Sequence, residues 1–406
     1  MTGNPALRRV VITGAGSVNP LASDVPGTFA ALAEGRVAIG ALDLPDLDRL
    51  SIRIGAPVRG WQPDAYFTRQ EQALYDRAVQ FAVVAARQAV TQSALVLGSD
   101  EGFRAGVVLG TGGGGSTTTD EAYRAVYAEG RSRVHPFTVP RLMPNAAAAH
   151  LAMNHGLRGP SFTVSTACAS SNHAMGLAFQ MVRSGAAPVM LTGGAEATLS
   201  FGGIKAWEGL RVLSPDGCRP FCASRNGLVQ GEGAAIFVFE ERDRAVGRGA
   251  PILAEVVGFA MTSDAADIVL PDPEGARRAM AGALVDAGLP PDTVGYVNAH
   301  GTGTTANDRS ESLAIRAVFG PNPPPVSATK SMHGHLLGAA GAVELLAVLL
   351  ALGEGVIAPT AGWRAPDPEC GLDVVPNVAR RVGVEVALSN AFGFGGMNAC
   401  LALRKA

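Results

Sequence analysis

The 406-residue chain sets 33 Lys and Arg against 35 Asp and Glu, with 47% apolar residues, 17% charged residues and 51 glycines. That composition supports a sizeable core with many tight turns and argues against disorder. The formal net charge of −2 gives no global reason to expect nucleic acid or an anionic membrane surface as a partner.

In chain order, RRVVITGAGSVNP reads as a buried strand ending in a glycine turn, and its glycines break the apolar run, so no targeting segment is expected. Residues 72–95 have apolar spacing of about 3.6 and predict a long helix. FRAGVVLGTGGGGS (103–116) predicts a second strand and a glycine loop. SFTVSTACASS runs an extended segment into a helix from Ala169 onwards, and residues 168–194 then read helix, glycine stop, buried strand. SPDGCRPFCASRNGLVQGEGA (214–234) is a turn-rich loop leading back into a strand. GARRAMAGALVDAGL (275–289) and TVGYVNAHGTGT (293–304) repeat the earlier helix, strand and glycine loop. Residues 336–360 repeat helix, stop, strand. Units that occur twice in the same order predict an internal duplication, with halves 1–250 and 251–406. Strand–helix alternation predicts an α/β fold with two mostly parallel sheets. The most apolar helix, 341–356, carries Glu344 and looks too short to cross a bilayer, so a soluble, cytoplasmic protein is expected.

The five cysteines (Cys168, Cys218, Cys222, Cys370 and Cys400) are odd in number and form no disulfide or zinc-ribbon pattern, so reduced thiols and no metal are expected. Cys168 stands at a strand-to-helix junction. Unpaired amides and the helix dipole would favour its thiolate below the usual value of about 8.5, and could hold an oxyanion. A small buried core residue is the alternative. His173, five residues on, points roughly 140° away on the same helix and reads as packed. His135, His150 and His155 lack convergent polar company. His300 and His335 each end a buried strand and enter a glycine turn, where sites assemble in open α/β sheets. Thr302, Thr304, Ser331 and Lys330 lie nearby, and Lys330 is one of only three lysines. His333 reads as a solvent-facing bystander. Either histidine alone could be a packed core group; both together with a thiol point to a site.

TACASS with Cys168, NAHGTGT with His300, KSMHGHLLGAAGA with Lys330 and His335, and NAFGFGGMN (390–398) together resemble the β-ketoacyl-acyl-carrier-protein synthases of the thiolase superfamily. The resemblance covers essentially the whole chain and is nearest the elongating type. KAWEGLRVLSPDGCRPF and NAHGTGTTANDRSE are also similar to the nodulation-protein-E-like branch. The resemblance implies a duplicated five-layer αβαβα fold and a decarboxylative Claisen condensation. Cys168 would carry the acyl group, and the small residues around it would leave room for the thioester. Neutral His300 and His335 would stabilise the enolate of malonyl-carrier. Lys330 and Glu344 would form an ion pair keeping His335 placed and neutral. The N–H of Phe394 would join that of Cys168 in the oxyanion hole, with Phe392 and Phe394 on a mobile gating loop. Thr302 and Thr304 would line a pantetheine tunnel. The partner implied is acyl carrier protein, whose phosphopantetheine carries the substrates with no other cofactor. A dimer is implied, either homomeric or with a chain-length-factor subunit in a polyketide pathway.

Two departures matter. Gly113 stands where elongating enzymes carry a branched aliphatic residue at the floor of the acyl pocket, which predicts room for longer or stiffer chains; a positive φ is the alternative reason for glycine. SDAADIVLP (263–271) has Asp267, Val269 and Leu270 in place of histidine and hydroxyls, which weakens any polar pantetheine contact there. Among other classes, a dinucleotide oxidoreductase has only a lone GxG in its favour, with no Tyr-x-x-x-Lys pair. A degradative thiolase would need a second cysteine in the FGFGG loop, and a non-catalytic partner subunit would lack Cys168.

Overall fold

The computed structural model describes residues 7–406. Ten strands form one sheet: β1 (Val10–Val18), β2 (Gly106–Gly110), β3 (Ser161–Val164), β4 (Val189–Glu196), β5 (Gly233–Glu241), β6 (Ala254–Ser263), β7 (Tyr296–Asn298), β8 (Val326–Ser327), β9 (Val386–Gly393) and β10 (Met397–Arg404). Their order is β3-β2-β4-β5-β1-β6-β10-β9-β7-β8. Counted outward from the centre, β1-β5-β4-β2-β3 and β6-β10-β9-β7-β8 are the same arrangement strand for strand.

The principal helices are α1 (Arg77–Ser93), α2 (Ala146–His155), α3 (Ser170–Arg183), α4 (Phe201–Leu210), α5 (Pro273–Ala287), α6 (Thr305–Phe319) and α7 (Ala340–Glu354). Helices α1 and α2 cover the outer face of the N-terminal half, and α5 and α6 that of the C-terminal half. Helices α3 and α7 lie between the halves, giving the five layers. The two β layers are joined into one continuous sheet, and it is mixed, not mostly parallel. β1 and β6 join the halves through residue pairs such as Val10 with Val256, and antiparallel neighbours outnumber parallel ones. Connection length sets the sense: β10 follows β9 directly after the Phe394–Gly396 turn, too short for the crossover that a parallel pair needs.

The helical stretch Leu337–Glu354 has 18 residues and a mean hydropathy of 1.8, so by length and composition it could cross a membrane, contrary to expectation. It is apolar all round because it fills the central layer, with 89% of it buried. The small residues after Cys168 also have a different use from the one expected. A Cβ at Gly110 would stand 2.3 Å from Ser171 N, and one at Gly176 would stand 2.2 Å from the Phe259 ring. They let α3 pass hard against its neighbours, and they are packed, not open.

Candidate active site

Between β3 and α3 the chain turns through a tight elbow. Ala167 holds φ 49°, a left-handed conformation that non-glycine residues seldom adopt. The Ser170 hydroxyl braces it, donating to Ala167 O at 2.6 Å and accepting from Thr166 N–H at 2.8 Å. Cys168 is buried there, with the Phe394 N–H donating to its sulfur. Gly393 runs so close that a Cβ on it would stand 3.1 Å from Cys168 N. Burial pushes the thiol up to about 12, opposed by the charge of Lys330 and by the Phe394 N–H. The expected lowering by the helix end therefore does not prevail. A helix terminus contributes up to about 2 kcal/mol, which complete desolvation of the thiolate outweighs. His173 bonds back to the elbow, with Nδ1 2.9 Å from Thr166 Oγ1 and 3.0 Å from Ala169 O.

His300 follows β7 in a turn with positive φ at Gly301 and Gly303. The backbone N–H groups of His300 and Gly301 both donate to the Glu311 carboxylate at 2.8 Å, and Gly303 N–H donates to Asp308 at 3.2 Å. His335 follows β8; its N–H donates to Val229 O at 2.6 Å, and Leu337 N–H donates to its Nδ1 at 3.1 Å. Lys330 Nζ lies 3.3 Å from His300 Nδ1, donates to His300 O at 2.6 Å, and pairs with Glu344. The Lys330–Glu344 pair thus positions His300, not His335 as expected, although the Lys330 charge does help to keep His335 neutral. β7 and β8 are parallel neighbours, so their ends bring Lys330 beside His300, whereas His335 lies further along its own turn.

These contacts fix both tautomers. An ammonium and a backbone N–H can only donate, so each Nδ1 is an acceptor and each Nε2 carries the proton. Burial, then the Lys330 charge, holds both rings well below the ordinary histidine value, so both are neutral. Among the described residues the His335 Nε2 has no partner. The Cys168 sulfur and one nitrogen from each ring lie within 4.8 Å of one another, and the rings meet edge to face at 5.4 Å. Such a trio has the spacing of a metal site, but Nε2 atoms that carry protons have no lone pair to offer, and neither Nδ1 donor can reverse. His333 is not solvent-facing. It is fully buried, with Nε2 2.9 Å from Thr329 Oγ1 and Nδ1 2.8 Å from Gly334 O, and burial lowers it to about 3. Residues 330–333 form a helical turn, so the alternation of an extended segment does not apply.

A cavity of about 170 Å³ lies over the trio. Thr302 and Thr304 line it with their hydroxyls 2.8 Å apart, and so do Phe392 and Phe394. Val269 and Leu270 give it an apolar side. Asp267 is turned to local N–H groups, at 2.7 Å from Val269 and 2.9 Å from Leu270. Gly395 N–H donates to Ile268 O at 2.8 Å, tying this segment to the glycine loop. Gly113 lies elsewhere, in a second cavity of about 480 Å³ shared with Tyr123 and Leu337. Trp207 of α4 lines both cavities and stacks on Phe394 at 5.7 Å. The left-handed glycine of that loop is Gly114 (φ 56°), so a positive φ does not explain Gly113.

Sequence reasoning missed Trp207, Glu311, Asp308 and Glu196. Glu196 closes the buried run VMLTGGAE at the carboxyl end of β4, the one signal that could have marked it.

The family described as Beta-ketoacyl synthase, N-terminal domain, matches residues 7–245, and the corresponding C-terminal domain matches residues 253–364. Nodulation protein E of Rhizobium sp. (strain N33) is 48% identical over 400 residues, covering 98% of this chain and 99% of its own. The 3-oxoacyl-acyl-carrier-protein synthase 2 of Synechocystis sp. (strain ATCC 27184 / PCC 6803 / Kazusa) is 41% identical over 408 residues, covering 98% of each chain. The structure of the ishigamide ketosynthase/chain length factor superposes with a TM-score of 0.94 at 36% identity, covering 99% of this chain and 100% of that one.

Proposed function

Because the chain belongs to the β-ketoacyl synthase family, we infer that this site performs a decarboxylative Claisen condensation. It joins an acyl group held on Cys168 to malonyl-acyl-carrier-protein and lengthens the chain by two carbons. The observation that carries the reading is one thiol facing two neutral histidines whose Nε2–H donors are fixed by their partners.

In the first half-reaction, Cys168 Sγ attacks the acyl thioester. The N–H groups of Cys168 and Phe394 take the carbonyl oxygen, and the carrier's pantetheine thiol departs with the proton. Since the buried thiol is neutral, proton loss accompanies attack. Malonyl-carrier then enters past Thr302 and Thr304. His300 and His335 donate to its thioester oxygen as carbon dioxide leaves, and the carbanion attacks the acyl-cysteine carbonyl. Cys168 leaves as thiolate and is reprotonated. Lys330, paired with Glu344, keeps His300 a donor at Nε2.

Acyl carrier protein delivers both substrates, and the reading requires no cofactor beyond its phosphopantetheine. The chain divides near residue 250, the half 1–250 bringing the thiol and the half 251–406 both histidines; the repeated strand order supports this. A cytoplasmic dimer belongs to the same reading. β3 is an end strand of the sheet, and Tyr123 and Tyr127 are 60% and 83% exposed. Likeness to the ishigamide ketosynthase/chain length factor favours a second assembly, with a chain-length-factor subunit; native mass with and without such a subunit separates the two. The function is tested by intact-mass analysis after incubation with a panel of acyl carriers. Wild type should gain one acyl group and Cys168→Ala none; an adduct on the alanine variant overturns the assignment.

A further inference from the structure

We propose that Glu196 is a positioning residue for His335, lacing the turn after β8 to the glycine loop after β2 so that the imidazole stays aimed as a donor. The proposal rests on His335 acting on the malonyl group, as inferred above. Glu196 is fully buried at the end of β4. Its Oε2 accepts from Gly112 N–H at 2.6 Å and Gly338 N–H at 3.0 Å; its Oε1 accepts from Gly113 N–H at 3.0 Å and the Thr111 hydroxyl at 3.3 Å. The two segments touch backbone to backbone, since a Cβ on Gly338 would stand 2.2 Å from Gly112 N.

The link to His335 is one peptide long. Leu337 N–H donates to His335 Nδ1, and the next N–H, that of Gly338, donates to Glu196. Leu337 holds φ 47°, a left-handed conformation that a branched residue keeps only under restraint. Releasing Gly338 lets Leu337 relax and swings its N–H from Nδ1, removing the contact that fixes the His335 tautomer. A carboxylate suits the position because it offers four acceptor lone pairs and no donor. A glutamine amide, in either orientation, sets an N–H against a backbone N–H. Burial raises Glu196 to about 7, opposed by the N–H groups of Gly112, Gly113 and Gly338 and by the Thr111 hydroxyl, all of which favour the carboxylate.

The test compares wild type, Glu196→Gln, the double variant Glu196→Gln/Leu337→Gly and His335→Ala. For each, Cys168 acylation is followed by intact mass and malonyl-carrier decarboxylation by carbon dioxide release. Glu196→Gln should lower kcat for decarboxylation about tenfold or more, with KM and the acylation rate changed by less than about threefold. Glycine at 337 adopts the left-handed conformation without strain, so the double variant should recover at least about threefold of the lost rate. Decarboxylation that is unchanged, that falls together with acylation, or that glycine does not rescue overturns the proposal. If the glutamine variant is insoluble, Glu196→Asp, which withdraws the carboxylate by one methylene, takes the same test with the same readings. His335→Ala keeps the two ideas apart: wild-type decarboxylation there would remove His335 from the chemistry, whatever Glu196 does.

Discussion

The two halves of the chain share one strand order, yet the loops at equivalent strand ends are of opposite kinds. After β2 comes a glycine loop whose N–H groups serve Glu196; after β7, at the matching place, come His300, Thr302 and Thr304. A short elbow carrying Cys168 joins β3 to α3, whereas a longer turn with Lys330, His333 and His335 joins β8 to α7. β4 ends in Glu196, and β9 ends in Gly393 beside Phe394, the oxyanion donor of the proposed mechanism. The N-terminal half supplies the buried thiol; the C-terminal half supplies the two neutral histidines. A duplicated scaffold converges six strand ends on one spot, and loop length and side-chain type alone decide what each half does there.

The largest expected effect separates the halves chemically. His300→Ala or His335→Ala should lower malonyl-carrier decarboxylation by roughly 10²–10⁴-fold, while Cys168 still gains its acyl adduct. Intact mass and carbon dioxide release read the two steps independently. If either histidine variant loses acylation as completely as decarboxylation, the division of labour fails.

The C-terminal site was the more legible in sequence for a physical reason. Histidines and a rare lysine at strand ends are chemistry-bearing types, and a site built from them shows in composition. Cys168 showed for the same reason. What stayed hidden depends on contacts remote in sequence. Glu196 is buried by N–H donors 84 and 142 residues away, so LTGGAEA alone reads as the end of a strand and nothing more. The partner of Lys330 depends on β7 and β8 lying side by side, which no local pattern encodes. Strand sense also escaped, because the helix crossovers were visible while the returns of β5 and β10 were not. Gly113 was expected at the floor of the acyl pocket, but the structure places it in a cavity separate from the one over the thiol.

A second effect concerns the buried ion pair of the C-terminal half; Glu196, buried in the N-terminal half, meets only neutral donors. Lys330→Met leaves Glu344 buried without its cation and should cost about 3–5 kcal/mol of unfolding free energy in urea melts. Lys330→Met/Glu344→Leu should recover most of it. A single change costing under about 1 kcal/mol would mean that Glu344 is relieved by something else, such as protonation, which its burial already favours.

A smaller effect is pH-dependent. His333 in the folded chain titrates at about 3, below the ordinary value of about 6.5, so on acidification the unfolded chain takes up the proton first. Its buried neutral ring therefore contributes stability above about pH 6.5 that is lost progressively as pH falls toward 3. The excess stability of wild type over His333→Gln should shrink by roughly 2 kcal/mol between pH 7 and pH 5. His173, at the elbow of the other half, is lowered by burial with the Ala169 carbonyl opposing, so His173→Gln should shrink less over the same interval. Equal slopes would show that the two turns are equally desolvated.

The smallest effect changes which chain is made, not how fast, and it belongs to the N-terminal half. Gly113 has an ordinary φ, and a Cβ there would meet the Ser116 hydroxyl at 2.3 Å, an atom that can rotate away. Isoleucine at that position projects into the cavity of about 480 Å³ and keeps the backbone N–H of residue 113 that Glu196 accepts. Trp207 lines both cavities, so an acyl chain extending from Cys168 into this one would pass it, each buried methylene contributing about 0.8 kcal/mol. Gly113→Ile, removing room for two methylenes, should cut acylation by the longest accepted primer about tenfold and leave short primers unchanged. Trp207→Ala, which merges the two cavities, should move the profile the other way. Competition among acyl carriers of graded length, read by intact mass, gives both results in one experiment. A profile indifferent to Gly113→Ile but shifted by Trp207→Ala would place the end of the acyl chain at the tryptophan, confined to the cavity where the two halves meet.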